Sequence, residues 1–124
     1  MLVFIDIDGV LADISNHTNY KLMTANDWES LPTTRHFNVL LALSDYVVTA
    51  PTDTPEYYAG RKKWHSRHCP QKPLIICKDK FLLATPNRLL VDDYQPNIEK
   101  WEDAGGTGIL WTQNNLSEVL NYVH

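Results

Sequence analysis

Five short, continuous apolar runs, at 2–6, 45–49, 73–77, 89–92 and 107–111, constrain the fold of this chain more than anything else in it. A strand with one face in water alternates apolar and polar side chains, whereas a strand covered on both faces has no reason to. Unbroken runs such as Leu2-Val3-Phe4-Ile5 and Leu89-Leu90-Val91 therefore predict parallel strands with helices above and below. Helical patterns fall between the runs. Phe37, Leu40 and Leu41 have helical spacing, and Thr54-Pro55 looks like a helix start. Ile98 and Trp101 share a face after Pro96, which suits a first turn, and before Gly105-Gly106, which suits a stop. Asn115 reads as an N-cap with Glu118 three residues on, ahead of Leu116, Val119, Leu120 and Val123 along one face. The alternation predicts an α/β fold, a three-layer α/β/α domain around a mainly parallel five-stranded sheet, with ligand chemistry at the carboxyl ends of the strands. At 124 residues the chain fits one such domain. The least regular stretch, 14–35, is expected to form one or two short helices over the site as a small cap-like insertion.

The residues at those strand ends carry the chemistry. Asp6-Ile7-Asp8-Gly9-Val10 follows the first run, and alternate residues of an extended chain point to one side, so both carboxylates leave the strand together. Asp-Gly alone is ordinary turn chemistry. Two like charges held close are unfavourable without a cation, and a second acidic pair, Asp92-Asp93, closes the fourth run. That pair also suits a helix cap, but carboxylates buried at a strand end without a counter-ion are costly. Two acidic strand ends suggest one metal site, and Mg2+ suits it, because magnesium takes hard oxygen ligands together with a substrate phosphate oxygen. Of two such carboxylates, one can attack phosphorus while its neighbour handles the proton of the leaving oxygen. At the end of the second run, the Thr49 hydroxyl and the Ala50 amide are placed to bind phosphoryl oxygens, although Thr is also a common strand residue. In Gly60-Arg61-Lys62-Lys63-Trp64, a helix would set Arg61 three residues from Trp64 and four from Tyr57, on their inward face. The bland alternative is a solvated basic face.

Composition narrows the partners. A formal net charge of −4 argues against broad attraction to a nucleic acid backbone, though Arg61-Lys62-Lys63 with Arg67 and Lys72 leaves a local phosphate contact open. Cys69 and Cys77 have no metal-finger or redox-motif spacing, so a reducing compartment is the simpler expectation. The start Met1 to Ile5 is too short for a signal peptide and no run approaches a membrane span, which leads to the expectation of a cytoplasmic protein without membrane partners. His65, His68 and Cys69 raise a zinc reading that lacks an evident fourth ligand.

Taken in order, Asp-x-Asp-Gly-Val at 6–10, a hydroxyl at Thr49, a basic residue near 61 and the acidic pair 92–93 resemble the haloacid dehalogenase superfamily of aspartate-nucleophile phosphatases. The resemblance covers nearly the whole chain and implies a Rossmann-like fold with a minimal cap. It implies that Asp6 is the nucleophile and Asp8 the general acid and base. Thr49 would hold the phosphoryl group, with Gly9 and Ala50 beside the substrate. Asp6, Asp8 through its carbonyl, and Asp93 would bind magnesium, supported by Asp92. Thr49 through Trp64, Leu90-Val91-Asp92-Asp93, Asn97, Trp101 and Gly105-Gly106 are further similar to the pyrimidine 5'-deoxyribonucleotidase branch and its small phage and bacterial relatives, where Lys80 also has a counterpart. Two departures stand out. The family's third motif offers lysine where this chain has Arg61, so Arg61 and Lys62 rank almost equally for that role, with Lys80 as a further source of the ammonium. The cap between the first and second motifs is also short.

A small cap leaves the site open, which suits a nucleic acid end or a range of small esters as well as a mononucleotide. Tyr20, Trp28, Tyr57 and Tyr58 are candidates to stack on a base, or simply core. The expected function is hydrolysis of nucleotide or related phosphate esters through an aspartyl-phosphate. The alternatives are action on nucleic acid terminal phosphates and a noncatalytic phosphate-binding module, which would have no use for Asp8. A receiver-like signalling domain would gather its acids early in the chain, unlike Asp92-Asp93.

Overall fold

The structure, a computed structural model, describes residues 1–123. Each expected run contains a strand, trimmed or shifted slightly at its ends: β1 (Leu2–Asp6), β2 (Tyr46–Thr49), β3 (Leu74–Ile76), β4 (Arg88–Asp92) and β5 (Thr107–Leu110). They form one sheet in the order β3-β2-β1-β4-β5, and every pairing is parallel. The helices are α1 (Ala25–Glu29), α2 (Phe37–Leu43), α3 (Pro55–His68), α4 (Gln95–Asp103) and α5 (Leu116–Val123), with short 3-10 turns at Tyr20–Leu22 and Lys80–Leu83. No helix among the described residues is long and apolar enough to cross a membrane.

The runs are apolar throughout because both faces of the sheet are covered. Val3, Ile5, Val47, Leu89, Val91 and Ile109 point to one side, against Leu40 and Leu41 of α2, Trp64 of α3 and Val119 of α5. Phe4, Val48 and Leu90 point to the other, against Ile98 and Trp101 of α4. Successive strand residues thus alternate between two cores, as the pleat requires. Local signals set most helix ends. Thr54 caps α3 by accepting the Tyr57 N–H at 3.2 Å, ahead of Pro55. After α4 the chain reverses through Gly105 at a φ of +100°, a conformation that glycine adopts without a steric penalty.

The expected cap at α5 differs in detail. The Asn115 side-chain oxygen accepts from the Thr112 N–H at 2.9 Å, and its amide donates to Glu118 Oε1 at 2.8 Å, so the pair ties the loop to the helix without closing a capping box. A capping box does form at α1, where Thr24 accepts from the Asp27 N–H at 3.1 Å and Asp27 accepts from the Thr24 N–H at 2.8 Å.

The insertion at 14–35 holds the 3-10 turn and α1, and α1 lies tightly on α3. Gly60 makes the approach possible: a Cβ there would sit 2.3 Å from the Ala25 carbonyl oxygen and 2.5 Å from Trp28 Cβ. The Trp64 indole donates to the Leu31 carbonyl at 2.8 Å, and Arg67 donates to Glu29 at 2.6 Å. Gly60→Ala should therefore destabilise the fold by about 2 kcal/mol, because overpacking at backbone outweighs the gain in helix propensity. Chemical denaturation checks this, and an unchanged or raised midpoint would show that α1 gives way.

Candidate active site

The order of strands fixes where the site lies. β2 and β3 extend from one side of β1, and β4 and β5 from the other. Chain direction around the sheet therefore reverses between β1 and β4, which opens a crevice beyond their carboxyl ends. Ile5 pairs with Val91, so the next residues, Asp6 and Asp92, emerge side by side at that crevice.

Beyond β1 the backbone closes a tight loop in which the Ile7 carbonyl accepts from the N–H groups of Val10, Leu11 and Ala12 at 3.1, 2.8 and 2.8 Å. Gly9 has a φ of +83°, and a Cβ on it would fall 1.9 Å from Asp93 Oδ2. Only glycine satisfies both demands, so Gly9 serves the site by making room for Asp93. Its carbonyl accepts from Gln113 Nε2 at 2.7 Å. Gly9 lines a neighbouring recess with Asp13, Thr33 and Arg35.

Asp6, Asp92 and Asp93 each offer a carboxylate oxygen, and these oxygens all lie within 4.8 Å of one another. Lys80, from the start of the second 3-10 turn, donates to Asp6 Oδ1 at 2.7 Å and to Asp92 Oδ2 at 2.8 Å. Asp92 is the most engaged: it also accepts from the Tyr94 N–H at 2.9 Å and from Asn97 Nδ2 at 3.1 Å. Its oxygens are committed to holding Lys80 and the start of α4, which leaves Asp6 and Asp93 as the freer ligands. Burial pushes the Asp6 carboxyl well above the usual range; Lys80 pulls it back, and Asp92, Asp8 and Asp93 push it up again. Asp93 is pushed up to about 6, first by burial and then by Asp92. Burial opposes the Lys80 ammonium, but Asp6 and Asp92 outweigh it and hold its pKa above the ordinary lysine value. One ammonium against three carboxylates leaves surplus negative charge, and hard oxygens so disposed suit a small divalent cation.

The other expected residues divide. Arg61 points inward, as its helical spacing predicts, but it meets Asp8 and not the acidic cluster. Its Nη2 donates to Asp8 Oδ1, and its guanidinium carbon lies 5.1, 5.2 and 5.7 Å from the ring centroids of Trp28, Tyr57 and Trp64. The Asp8 side chain belongs to this ion pair and stands outside the acidic cluster, so any part of Asp8 in holding a metal falls to its carbonyl, as the resemblance implies. Lys62 is corrected as a candidate for the third-motif role. One position along a helix turns the side chain about 100°, and Lys62 is exposed beside Glu29, Lys63 and Arg67. Lys80 is the ammonium that the structure brings to Asp6.

Thr49 is buried at the end of β2, with its hydroxyl 2.7 Å from the Tyr57 hydroxyl. Thr49 and Ala50 join Asp6, Asp8, Lys80, Asp92 and Asp93 around a cavity of about 410 Å³, walled by Ile14, Tyr20, Trp28, Thr52, Tyr94 and Asn97. Tyr57 is core and not a stacking surface, and Tyr58 stands outside the cavity lining. The zinc reading finds no support in the contacts: His65 Nε2 is 2.6 Å from the Lys72 carbonyl, His68 packs on Trp64, and Cys69 is buried. Among the described residues, the one cluster able to hold a metal is Asp6, Asp92 and Asp93.

Thr52 and Tyr94 at the cavity wall, and Tyr57 as the partner of Thr49, carry no local sequence pattern that marks them for a phosphate site. Asn97 has a signal, since it sits five residues after Asp92 on the first turn of α4. The chain matches no protein-family model and no curated protein.

Proposed function

We propose that this chain is a magnesium-dependent phosphomonoesterase of the haloacid dehalogenase type, hydrolysing nucleotide or related phosphate esters through an aspartyl-phosphate. The observation that carries the reading is the convergence of Asp6, Asp92 and Asp93 within 4.8 Å, with Lys80 bridging Asp6 and Asp92, in a cavity that Thr49 and Asp8 also line. Asp6 attacks phosphorus as the bond to the ester oxygen breaks, and Asp8 gives that oxygen a proton. Water then attacks the aspartyl-phosphate while Asp8 takes a proton back, which frees phosphate and regenerates Asp6. Thr49, Ala50 and Lys80 hold the phosphoryl oxygens, in the positioning and charge neutralisation that supply most of the rate in such transfers. Magnesium, held by Asp6 and Asp93 with Asp92 behind them, would neutralise charge on the phosphoryl group. The donor set fits, because every oxygen is hard and the carboxylates outnumber the one ammonium.

The leaving group would lie against Ile14, Tyr20, Trp28 and Tyr94, whose apolar surface accommodates a nucleoside. A second substrate, the terminal phosphate of a nucleic acid, is favoured by the brevity of α1, five residues long, and by the exposure of Tyr20 and Tyr94 at the rim. Phosphate release from mononucleotides, 3'- and 5'-phosphorylated oligonucleotides and sugar phosphates, with magnesium and with chelator, tests both. The expected result is release that chelator abolishes. Phosphate binding with no release from any ester would make the chain a noncatalytic module.

A further inference from the structure

The geometry points to Arg61 as a positioning residue that aims the Asp8 carboxyl group at the leaving oxygen of the substrate, and this rests on the reading of Asp8 as acid and base. Arg61 is fully buried in α3 and does not line the cavity, so the guanidinium acts on whatever it touches and not on substrate directly. The carboxylate it touches is Asp8, with the Tyr57 hydroxyl beside the guanidinium. Nη2 donates to Asp8 Oδ1, while Nε and Nη1 are buried with no hydrogen-bond partner among the described residues. The guanidinium carbon lies among the rings of Trp28, Tyr57 and Trp64, which restricts how the group can turn and leaves Nη2 aimed at Asp8.

Asp8 is asymmetric as a result. Oδ1 is anchored, whereas Oδ2 has no hydrogen-bond partner among the described residues, and Asp8 lines the cavity. An N–H donated to Oδ1 is compatible with either form of the group: with a proton on Oδ2 ready for the ester oxygen, or with Oδ2 bare and ready to take a proton from water. One anchored oxygen therefore holds the other in line through both steps. A role in stability alone is poorly served by this arrangement. Two buried nitrogens without partners carry a desolvation cost that an apolar side chain in the same box would avoid, and buried ion pairs are weak stabilisers.

A positioning role leaves a signature in the leaving group. The first step with an alkyl phosphate needs a proton delivered to the departing oxygen, whereas 2,4-dinitrophenolate departs without one. The burst of released alcohol or phenol, followed with magnesium present, isolates that step for wild type, Asp8→Asn, Arg61→Gln and Arg61→Lys. Asp8→Asn and Arg61→Gln are each expected to slow the burst with the alkyl ester by about 100-fold or more. With the dinitrophenyl ester each should slow it by less than about 10-fold, and the dissociation constant of the unreacted ester should be nearly constant. Arg61→Lys keeps the charge but not the fixed fork, and should show the same split at smaller amplitude. It serves in place of Arg61→Gln if circular dichroism shows that variant unfolded. Equal losses on both esters from the Arg61 variants, or no loss, would overturn the assignment if Asp8→Asn still separates the esters. If Asp8→Asn does not separate them, the acid role of Asp8 falls and this role of Arg61 with it. A wild-type protein that turns over neither ester would instead refute the phosphatase reading itself.

Discussion

Asp6→Asn should reduce magnesium-dependent hydrolysis of an aryl phosphate by at least about 10,000-fold, the scale of loss seen when a covalent nucleophile is removed. The fold should survive. An asparagine at the end of β1 keeps the shape of the aspartate and still offers a carbonyl oxygen to Lys80, which lies 2.7 Å from Asp6 Oδ1. It also replaces an ionisable group whose charged form is disfavoured there, since burial and the neighbouring Asp92, Asp8 and Asp93 all push the Asp6 carboxyl upward against Lys80. The melting temperature without divalent cation should therefore be equal to wild type or higher, while turnover disappears. A loss of activity accompanied by a large fall in melting temperature would place Asp6 in the architecture. Undiminished magnesium-dependent turnover would remove it as the nucleophile, and with it the aspartyl-phosphate.

The fold was legible because burial on both faces writes itself into consecutive residues. Val3 and Ile5 serve one core while Phe4 serves the other, so β1 stays apolar up to its last residue, Asp6. The acidic cluster was legible for the same reason, since a strand that must be apolar along its length displays its chemistry only at its end. The choice of cation was less so. Helical spacing correctly turned Arg61 inward, but which group it would meet depended on how α3 packs over the loop after β1, and that is a tertiary matter. Lys80 stands in Lys78-Asp79-Lys80, where no period says which side chain is buried; only the fold of the 3-10 turn carries it to Asp6 and Asp92. The contact between Thr49 and Tyr57 joins a strand end to a helix first turn, and nothing in the local sequence of either residue announces it.

Lys80→Met should be the most destabilising substitution in the site. Methionine matches the length and most of the volume of lysine but leaves Asp6 and Asp92 buried without the ammonium that now bonds both. Removing one partner of a buried ionic group typically costs about 3–5 kcal/mol. The loss should depend on pH in a definite direction. Asp6 already has a folded-state pKa above its unfolded value, and without Lys80 it rises further, because the one neighbour that lowers it is gone. A carboxyl raised on folding favours the folded state below its unfolded pKa, and that advantage is lost as pH rises through the folded pKa. The Lys80→Met variant should therefore approach wild-type stability in mild acid and fall away from it toward neutrality. Magnesium should restore part of the difference, since a cation shared by Asp6 and Asp93 offsets the charge that Lys80 no longer balances. Activity with magnesium should stay low even so, by about 100-fold or more, because a donor to the phosphoryl oxygens is missing. Denaturation midpoints followed from mild acid to mildly alkaline pH distinguish these effects when measured with chelator and with magnesium. Equal stability of variant and wild type at the alkaline end in chelator would mean that the carboxylates do not converge around Lys80, and the site built on them would fall.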